Sequence, residues 1–284
     1  MINKNVLFIL IGILISFTAC DNVILSPFSQ AWKAPMPYDE SGATRELHVA
    51  AVSMNVDLSA DVNREKIITF IDKIKADKPN IRLILFPETI LGYYYRSANP
   101  SEYQSAIAET IPGFTTDAIS LKAIEHQVYI SFGMVQKISE DLYNAQVLIG
   151  PDGGILSVYH KMQLGSWDKE NGFIAGSGIN LDIIDNIKVA TIICSDGNYL
   201  ETHKKIHKLG AELVLQAMAN PQRTLNEIIY QWKYTFTWHL YANRIGTEDG
   251  TTYDGMLFLS TPSGEVKTSS VDGEGYIYGV VKCR

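Results

Sequence analysis

The chain has 284 residues, 46% of which are hydrophobic, and carries a formal net charge of −7 at pH 7. This length and apolar content suffice for one large domain with a substantial core. The acidic balance, without any run of basic residues, argues against a nucleic-acid partner.

The N-terminal residues have the pattern of an export signal. Lys4 precedes a continuous apolar and small stretch from Val6 to Ala19, and Cys20 follows it. A charged start, a short apolar core and a small residue at the cut are typical of a secretory signal. The stretch is shorter than the roughly 20 residues that a membrane-spanning helix needs. Phe17-Thr18-Ala19-Cys20 also resembles a bacterial lipobox, in which the cysteine is lipidated.

These features predict how the chain is organised. We assign residues 1–19 to a lipoprotein-type signal peptide, residues 20–45 to a proline-interrupted tether and residues 46–284 to the main domain. Cys20 is the predicted lipidation site, so the protein is expected on the exported side of a bacterial cell membrane, anchored by its lipid. Ordinary signal cleavage and an uncleaved anchor are the alternatives.

Hydrophobic periodicity predicts strands and helices in alternation along the main domain. The predicted strands lie at 47–54, 81–86, 127–132, 154–160 and 189–193, and near 239–245, 255–260 and 275–281. The predicted helices lie at 61–76, 115–125, 200–209 and 223–235. Abundant helix and strand in this order indicate an α/β fold in which helices are layered on sheets.

Three chemically useful side chains follow predicted strands. Glu88 comes directly after an apolar strand that Pro87 ends, because proline has no N–H for the ladder. Lys161 follows a second predicted strand, and Cys194 ends the apolar run that starts at Val189. Each residue alone has an ordinary explanation, as a solvated charge or a small core residue. Because sheets covered by helices bind ligands at one end of their strands, we predict that the three side chains converge.

Such a group of side chains has a clear chemical use. A thiol with the reference pKa of about 8.5 is mostly protonated at neutral pH. Glu88 could take the proton of the Cys194 thiol, and Lys161 could favour the thiolate and then stabilise an oxyanion on a substrate carbonyl. The pattern therefore predicts nucleophilic catalysis by Cys194, with Glu88 as base and acid and Lys161 as electrostatic partner.

Three ordered motifs resemble the carbon–nitrogen hydrolase, or nitrilase, superfamily. They are FPET at 86–89, YHKMQL at 159–164 and ICSDGNYLE at 193–201. The Glu–Lys–Cys triad of that family falls on Glu88, Lys161 and Cys194 in the same chain order. The resemblance extends from about Leu47 to about Val281, which is most of the predicted main domain.

The resemblance implies several further features. The fold is expected to be an α-β-β-α sandwich, with two mixed sheets face to face and helices on the outer faces, and the protein is expected to form a homodimer. Glu170 is the best match for a second acidic residue that family members often carry near the active site. The backbone N–H of Ser195 is expected to bind the oxyanion together with Lys161.

The implied reaction is hydrolysis of a non-peptide C–N bond in a small amide, through a thioester on Cys194, with release of ammonia or an amine. Ser195-Asp196 after the cysteine favours an amidase over a nitrilase. Two alternatives stay open. One is an amide-forming acyltransferase that uses the same thioester, and the other is a catalytically silent binding module, which differences from the family at Leu257 and 231–235 allow.

No cofactor and no metal are expected. The three cysteines include no CxxC pair and no zinc-ligand spacing. His203 and His207 stand four apart on a predicted helix, but neighbouring lysines crowd them with like charge, so a solvated helix face is predicted there. His160, beside Lys161, could line the site or serve packing.

Overall fold

Two six-stranded β-sheets face each other and carry helices on their outer sides. The computed structural model describes residues 38–221, 236–270 and 273–284, and the elements given below lie in those ranges. The predicted helix at 223–235 and the predicted signal peptide at 1–19 lie outside the described residues.

The elements follow the chain in mixed order. The strands are β1 (Arg45–Ser53), β2 (Leu83–Leu85), β3 (Tyr129–Ile138), β4 (Asp141–Ile149), β5 (Ile155–His160), β6 (Leu181–Ile184), β7 (Ile187–Ile193), β8 (Leu213–Met218), β9 (Trp238–Asn243), β10 (Ile245–Glu248), β11 (Thr251–Asp254), β12 (Leu257–Ser260), β13 (Val266–Ser270) and β14 (Gly275–Cys283). The helices are α1 (Ala60–Asp77), α2 (Pro100–Ile107), α3 (Phe114–His126), α4 (Ser166–Glu170) and α5 (Leu200–Leu209), and a 3₁₀ turn spans Cys194–Asn198.

Both large sheets are mixed. Sheet 1 has the order β14-β1-β2-β3-β4-β5, and sheet 2 has the order β13-β12-β9-β8-β7-β6. In each sheet three adjacent strands are parallel, β1-β2-β3 in one and β7-β8-β9 in the other, and antiparallel strands flank them. Strands β10 and β11 form a separate hairpin. The expected α/β class with two mixed sheets is confirmed.

The strand period of two separates the layers of the sandwich. Along β1, Val49 and Ala51 belong to the core between the sheets, whereas Ala50 and Val52 belong to the core beneath α1 and α3. On the far side of sheet 2, Ile206 of α5 packs with residues of β7 and β8. Because the central strands of each sheet bury both faces, they are largely apolar, and every residue of β8 is buried.

Local signals begin and end the helices where the sequence suggests. Ser59 caps α1, and its side chain accepts a hydrogen bond from the N–H of Val62. Gly210 ends α5 with a φ of +72°, a left-handed conformation that glycine adopts without a Cβ clash.

Most observed strands differ from the predicted ones at one or both ends, and β2 and β3 show the clearest differences. Strand β2 has only three residues, although the N–H of Phe86 continues its pairing by donating to Ser131 O at 2.8 Å. Strand β3 begins at Tyr129 rather than 127, because Gln127 is the left-handed cap of α3 with a φ of +50°. The shorter elements α2, α4, β6, β10, β11 and β13 were not predicted.

The described part of the predicted tether lies against the domain. Tyr38 packs edge-on against Trp238, with ring centroids 5.5 Å apart. Glu40 pairs with Lys267 at 2.9 Å and with Lys282 at 3.2 Å. Strand β1 then begins at Arg45, one residue before the predicted domain start. None of the helices in the described ranges is long and apolar enough to span a bilayer.

The fold brings three strand ends to one place. Strand β5 is antiparallel to β4, and β4 is antiparallel to β3, which is parallel to β2. Strands β5 and β2 therefore run in the same direction, and their C-terminal ends lie on the same side of sheet 1. Strand β7 of the facing sheet ends at Cys194.

Candidate active site

Glu88 lies fully buried just beyond the end of β2. Its Oε1 accepts hydrogen bonds from Asn144 Nδ2 at 2.7 Å and from Lys161 Nζ at 2.8 Å. Its other oxygen, Oε2, is also buried and has no hydrogen-bond partner among the described residues. One oxygen of this carboxylate is therefore held in place, and the other is available to accept a proton.

Lys161 is the centre of a buried group of charges. Its ammonium, on a side chain only 1% exposed, lies 2.8 Å from Glu88 Oε1 and 2.7 Å from Asp168 Oδ2, and it donates to Tyr94 Oη at 3.2 Å. Burial alone would lower the pKa of Lys161, but the negative charges of Glu88 and its neighbours outweigh that effect and raise the pKa well above its usual value. The ammonium therefore stays charged at neutral pH.

Cys194 begins the 3₁₀ turn that follows β7, and it is partly exposed. Its φ of +44° lies in the left-handed region, which is strained for a residue with a side chain. Gln216 Nε2 donates to the Cys194 carbonyl at 3.1 Å and so helps to hold the turn. Cys194 lines the same pocket as Lys161 and Tyr94.

A pocket of about 180 Å³ opens onto these groups. Its wall contains Lys161 and Cys194 together with Tyr94, Gly165, Ser166, Trp167, Asp168, Ser195, Ala219, Asn220 and Pro221. The structure therefore brings together the three strand-end residues: Lys161 and Cys194 line one small pocket, and Glu88 lies against Lys161. Their catalytic roles stay predictions.

The second acidic residue beside the lysine is Asp168, not Glu170. Asp168 is buried, whereas Glu170 is exposed and its Oε2 accepts a hydrogen bond from Tyr95 Oη at 2.5 Å. Both belong to the short helix α4, and residues two apart point to nearly opposite sides of a helix. The prediction of Glu170 next to the active-site groups was therefore wrong in register by two residues.

Tyr94 links the charged group to the pocket wall. Its hydroxyl donates to Asp168 Oδ1 at 2.8 Å. Burial raises the pKa of Tyr94 well above its usual value, so the phenol keeps its proton. Its backbone is also fixed, because Tyr94 N donates to Glu248 Oε2 at 3.0 Å and Tyr94 O accepts from Asn171 Nδ2 at 2.7 Å. Sequence reasoning missed Tyr94, and the run of three tyrosines after Gly92 was the available signal.

Two further side chains hold the cysteine turn. The hydroxyl of Ser195 donates to the Gln163 carbonyl, and His203 Nε2 lies 2.7 Å from Gly197 O. His203 is fully buried, so the prediction of a solvated face was wrong for it and right for His207, which is exposed. His203 follows the buried Thr202 and precedes Ile206 on the inner face of α5. The oxyanion-binding role of the Ser195 N–H stays a prediction.

His160 and Leu257 serve packing. His160 stacks on Tyr143 with centroids 4.4 Å apart, and its Nε2 contacts Gln136 Oε1 at 2.6 Å. Leu257 is buried in the core between the sheets. Its difference from the family pattern therefore does not change the pocket wall.

In the described part of the chain, one cluster outside the pocket combines side chains of the kinds that bind metals. Asp72, Glu125 and His126 place ligand atoms within 4.8 Å of one another on the outer side of α1 and α3. The Lys122 ammonium lies 2.9 Å from Asp72 Oδ1 and 2.8 Å from Glu125 Oε2, so it already balances their charge. This arrangement is that of a surface ion-pair network.

Comparison with known proteins identifies the family. The sequence profile of the carbon-nitrogen hydrolases matches residues 48–264. The chain belongs to the carbon–nitrogen hydrolase family. A nitrilase from Pyrococcus abyssi (strain GE5 / Orsay) is 29% identical over 240 residues, which cover 80% of this chain and 86% of that protein. A formamidase from Bacillus cereus (strain Q1) is 26% identical over 234 residues, 79% of this chain and 66% of the formamidase.

Solved structures show the same fold in other hydrolases. An amidase from Nesterenkonia sp. superposes with a TM-score of 0.74 at 18% identity, covering 86% of this chain and 94% of that one. A carbon–nitrogen hydrolase from Helicobacter pylori G27 gives a TM-score of 0.73 at 18% identity, covering 83% and 88%. In one variant of the Nesterenkonia sp. AN1 amidase, the acetamide moiety of fluoroacetamide is attached covalently at the active-site cysteine. The α-β-β-α sandwich and the family expected from the motifs are confirmed.

Proposed function

We propose that this carbon–nitrogen hydrolase cleaves small amides through a thioester on Cys194. The observation that carries the proposal is the Lys161 ammonium, which lies between Glu88 and Asp168 and lines the same pocket as Cys194. The pocket is small, so it suits a compact acyl group. The names of the formamidase and amidase relatives agree with this substrate class.

The first half of the reaction forms the thioester. Glu88 takes the thiol proton, and the thiolate of Cys194 attacks the amide carbonyl carbon. The oxyanion that develops is stabilised by the Lys161 ammonium and by the N–H of Ser195. The C–N bond then breaks, the proton passes from Glu88 to the leaving nitrogen, and ammonia or an amine departs.

The second half releases the acid. Glu88 takes a proton from water, and the resulting hydroxide equivalent attacks the thioester carbonyl. Lys161 stabilises the second oxyanion. The C–S bond breaks, Glu88 returns the proton to the thiolate, and the carboxylic acid leaves.

Release of ammonia from formamide, acetamide and propionamide tests this proposal. Cys194→Ala removes the nucleophile, and we expect it to abolish hydrolysis while the fold survives. Cys283→Ala is the matched control, because Cys283 is a buried core residue of β14 away from the pocket, and we expect full activity from it. Full activity in the Cys194→Ala variant would contradict the mechanism.

The same assay separates the alternatives. An acyltransferase would transfer the acyl group to an added primary amine and form a new amide faster than free acid. A binding module would bind the amide without forming ammonia or a new amide. The charged Lys161, the proton acceptor on Glu88 and the strained Cys194 together favour a catalyst.

We also propose that a lipid on Cys20 holds the enzyme at the exported side of the membrane. The support is the apolar run before Cys20 and its likeness to a lipobox. Several acyl chains on one cysteine make membrane attachment stable, at about 0.8 kcal/mol per buried CH₂. Wild-type protein should remain with the membrane fraction after a salt wash, and Cys20→Ser should not be lipidated. A mature N-terminus away from Cys20 without acyl mass would rule out the anchor.

A homodimer is the oligomer that the family resemblance implies. Phe236 and Leu209 are exposed apolar side chains on the outer side of sheet 2, and the Phe236 ring lies 6.1 Å from that of His207 in α5. We propose that this face takes part in the subunit contact. Light scattering on the protein without residues 1–20 should give twice the chain mass, and Phe236→Glu should shift it toward the monomer.

A further inference from the structure

Asp196 accepts four hydrogen bonds with one buried carboxylate. Its Oδ1 accepts from Met162 N at 3.1 Å and from Gln163 N at 2.7 Å. Its Oδ2 accepts from Tyr159 Oη at 2.6 Å and from Ile193 N at 3.1 Å. The side chain is fully buried, so each of these donors would otherwise lack a partner or need water.

The four donors come from both sheets of the sandwich. Tyr159 belongs to β5 of sheet 1, and Met162 and Gln163 directly follow Lys161. Ile193 is the last residue of β7 in sheet 2 and directly precedes Cys194. One carboxylate therefore joins the end of the strand that carries the ammonium to the end of the strand that carries the thiol.

We propose that Asp196 is a positioning residue that fixes the Lys161 end of sheet 1 against the Cys194 end of sheet 2. The inference rests on the proposed function of those two residues. A carboxylate suits this place because it is an acceptor at both oxygens, whereas an amide must donate at one end. Small displacements of reacting groups are costly, since a shift of about 1 Å can reduce a rate by about 10²-fold.

Protonation of Asp196 should weaken this link. Burial raises the pKa of Asp196 to about 6, although the Tyr159 hydrogen bond, the Lys161 charge and the backbone donors act in the opposite direction. Tyr159 contacts the carboxylate from sheet 1, Lys161 acts on it through its charge, and the other hydrogen-bond donors are backbone N–H groups. A neutral acid accepts fewer hydrogen bonds than a carboxylate, so the position of Cys194 relative to Lys161 becomes less fixed below this pH.

The effect on folding has the opposite sign. The folded-state pKa of Asp196, about 6, is higher than the ordinary value of 3.8 expected in the unfolded chain. The folded state therefore binds this proton more readily, and protonation of Asp196 favours folding as the pH falls through 6. A loss of activity in this window would not come from unfolding caused by Asp196.

The test compares three variants with the wild-type enzyme. Asp196→Asn replaces the acceptor at one end by a donor, and Tyr159→Phe removes one donor but keeps the carboxylate and its three backbone bonds. Asp182→Asn is the matched control. Asp182 of β6 accepts a hydrogen bond from Ser157 of β5 at 2.7 Å, so it also links the two sheets, but it does not line the pocket.

Two readouts are followed against pH for each variant. One is kcat and KM for a small amide, and the other is the rate at which iodoacetamide alkylates Cys194, which requires no substrate. Circular dichroism at each pH confirms that the variants remain folded.

The wild-type enzyme should lose kcat and alkylation rate on the acid side with a midpoint near 6. In Asp196→Asn, kcat should fall by about 10²-fold with KM within about threefold, and the step near pH 6 should vanish. In Tyr159→Phe the midpoint should move upward, because the lost hydrogen bond favoured the charged carboxylate. Asp182→Asn should match the wild type in both readouts.

The results separate this inference from the proposed function. An acid midpoint that stays in place in Tyr159→Phe, or an Asp196→Asn variant within about threefold of wild-type kcat, would overturn the positioning role. If the wild-type enzyme hydrolysed no amide, the proposed function would fail. The pH profile of Cys194 alkylation would then test the positioning role of Asp196 by itself. The role would hold if the alkylation rate shows a step near pH 6 that moves upward in Tyr159→Phe, and it would fail otherwise.

Discussion

Two groups of fully buried ion pairs stand out among the described residues, and they have different roles. In one, the Lys161 ammonium lies between Glu88 and Asp168, and in the other, Arg244 Nε lies 2.9 Å from Glu248 Oε1. All five side chains are within 1% of complete burial. Burial and pairing alone therefore do not distinguish an active site from a structural ion pair.

Their surroundings make the difference. Arg244 Nη2 donates to Gly92 O at 2.8 Å, and Glu248 Oε2 accepts from Tyr94 N at 3.0 Å, so this pair anchors the loop that carries Tyr94. The Lys161 group instead borders a pocket whose wall also contains the Cys194 thiol. An open pocket and a nucleophile mark the reactive group, and the Arg244–Glu248 pair supports it.

Removing the central cation of the reactive group should have the largest effect on activity. Lys161→Met takes away the charge that stabilises the oxyanion, so kcat should fall by about 10²- to 10³-fold in steady-state ammonia release. Glu88 and Asp168 would then lose the cation that lies between them. Losses below about tenfold, roughly 1.4 kcal/mol of barrier, would mean that a different group stabilises the oxyanion.

Substitutions of the two acidic residues of α4 should differ in their effect on kcat. Asp168→Asn removes one of the two carboxylates that pair with the Lys161 ammonium. We expect kcat to fall by about 10- to 100-fold. Glu170→Gln is the matched control on the same helix, and because Glu170 is exposed, kcat should stay within about twofold. Equal losses in the two variants would contradict the assignment of Asp168 over Glu170.

Breaking the supporting pair should affect stability more than chemistry. Arg244→Met leaves the Glu248 carboxylate buried without its cation, which should cost about 3–5 kcal/mol of the free energy of unfolding in urea titrations. Activity measured well below the melting temperature should fall by less than about tenfold, because Lys161 and its partners are retained. A loss of kcat as large as that of Lys161→Met would show that the two charged groups act as one.

Sequence reasoning reached the three strand-end residues because apolar strands and their breakers are local signals. Pro87 ends one strand before Glu88, and the glycine turn after Cys194 ends another. The position of the second acid was out of reach, because it depends on which face of the five-residue helix α4 meets Lys161. The number of residues between Lys161 and α4 does not determine which face of that helix is turned toward Lys161.

The remaining contacts are long-range and could not be read from local patterns. Asn144 contacts Glu88, which lies 56 residues away in the sequence, and Tyr94 contacts Lys161, which lies 67 residues away. His203 was predicted to be solvated because of its charged neighbours, yet the helix turns it inward with Ile206. The packing of the two sheets decides which polar residues come into contact, and that packing depends on the whole chain.

The thioester is the most direct test of the account. Wild-type enzyme mixed with acetamide, quenched in acid within the first turnover and digested should give a Cys194 peptide that carries one acetyl group. The Cys283 peptide of the same digest is the internal control and should remain unmodified. An acetyl group on Cys194 that appears and decays at the rate of turnover is the predicted result. Turnover without acylation of Cys194 would contradict the central claim that this thiol is the nucleophile.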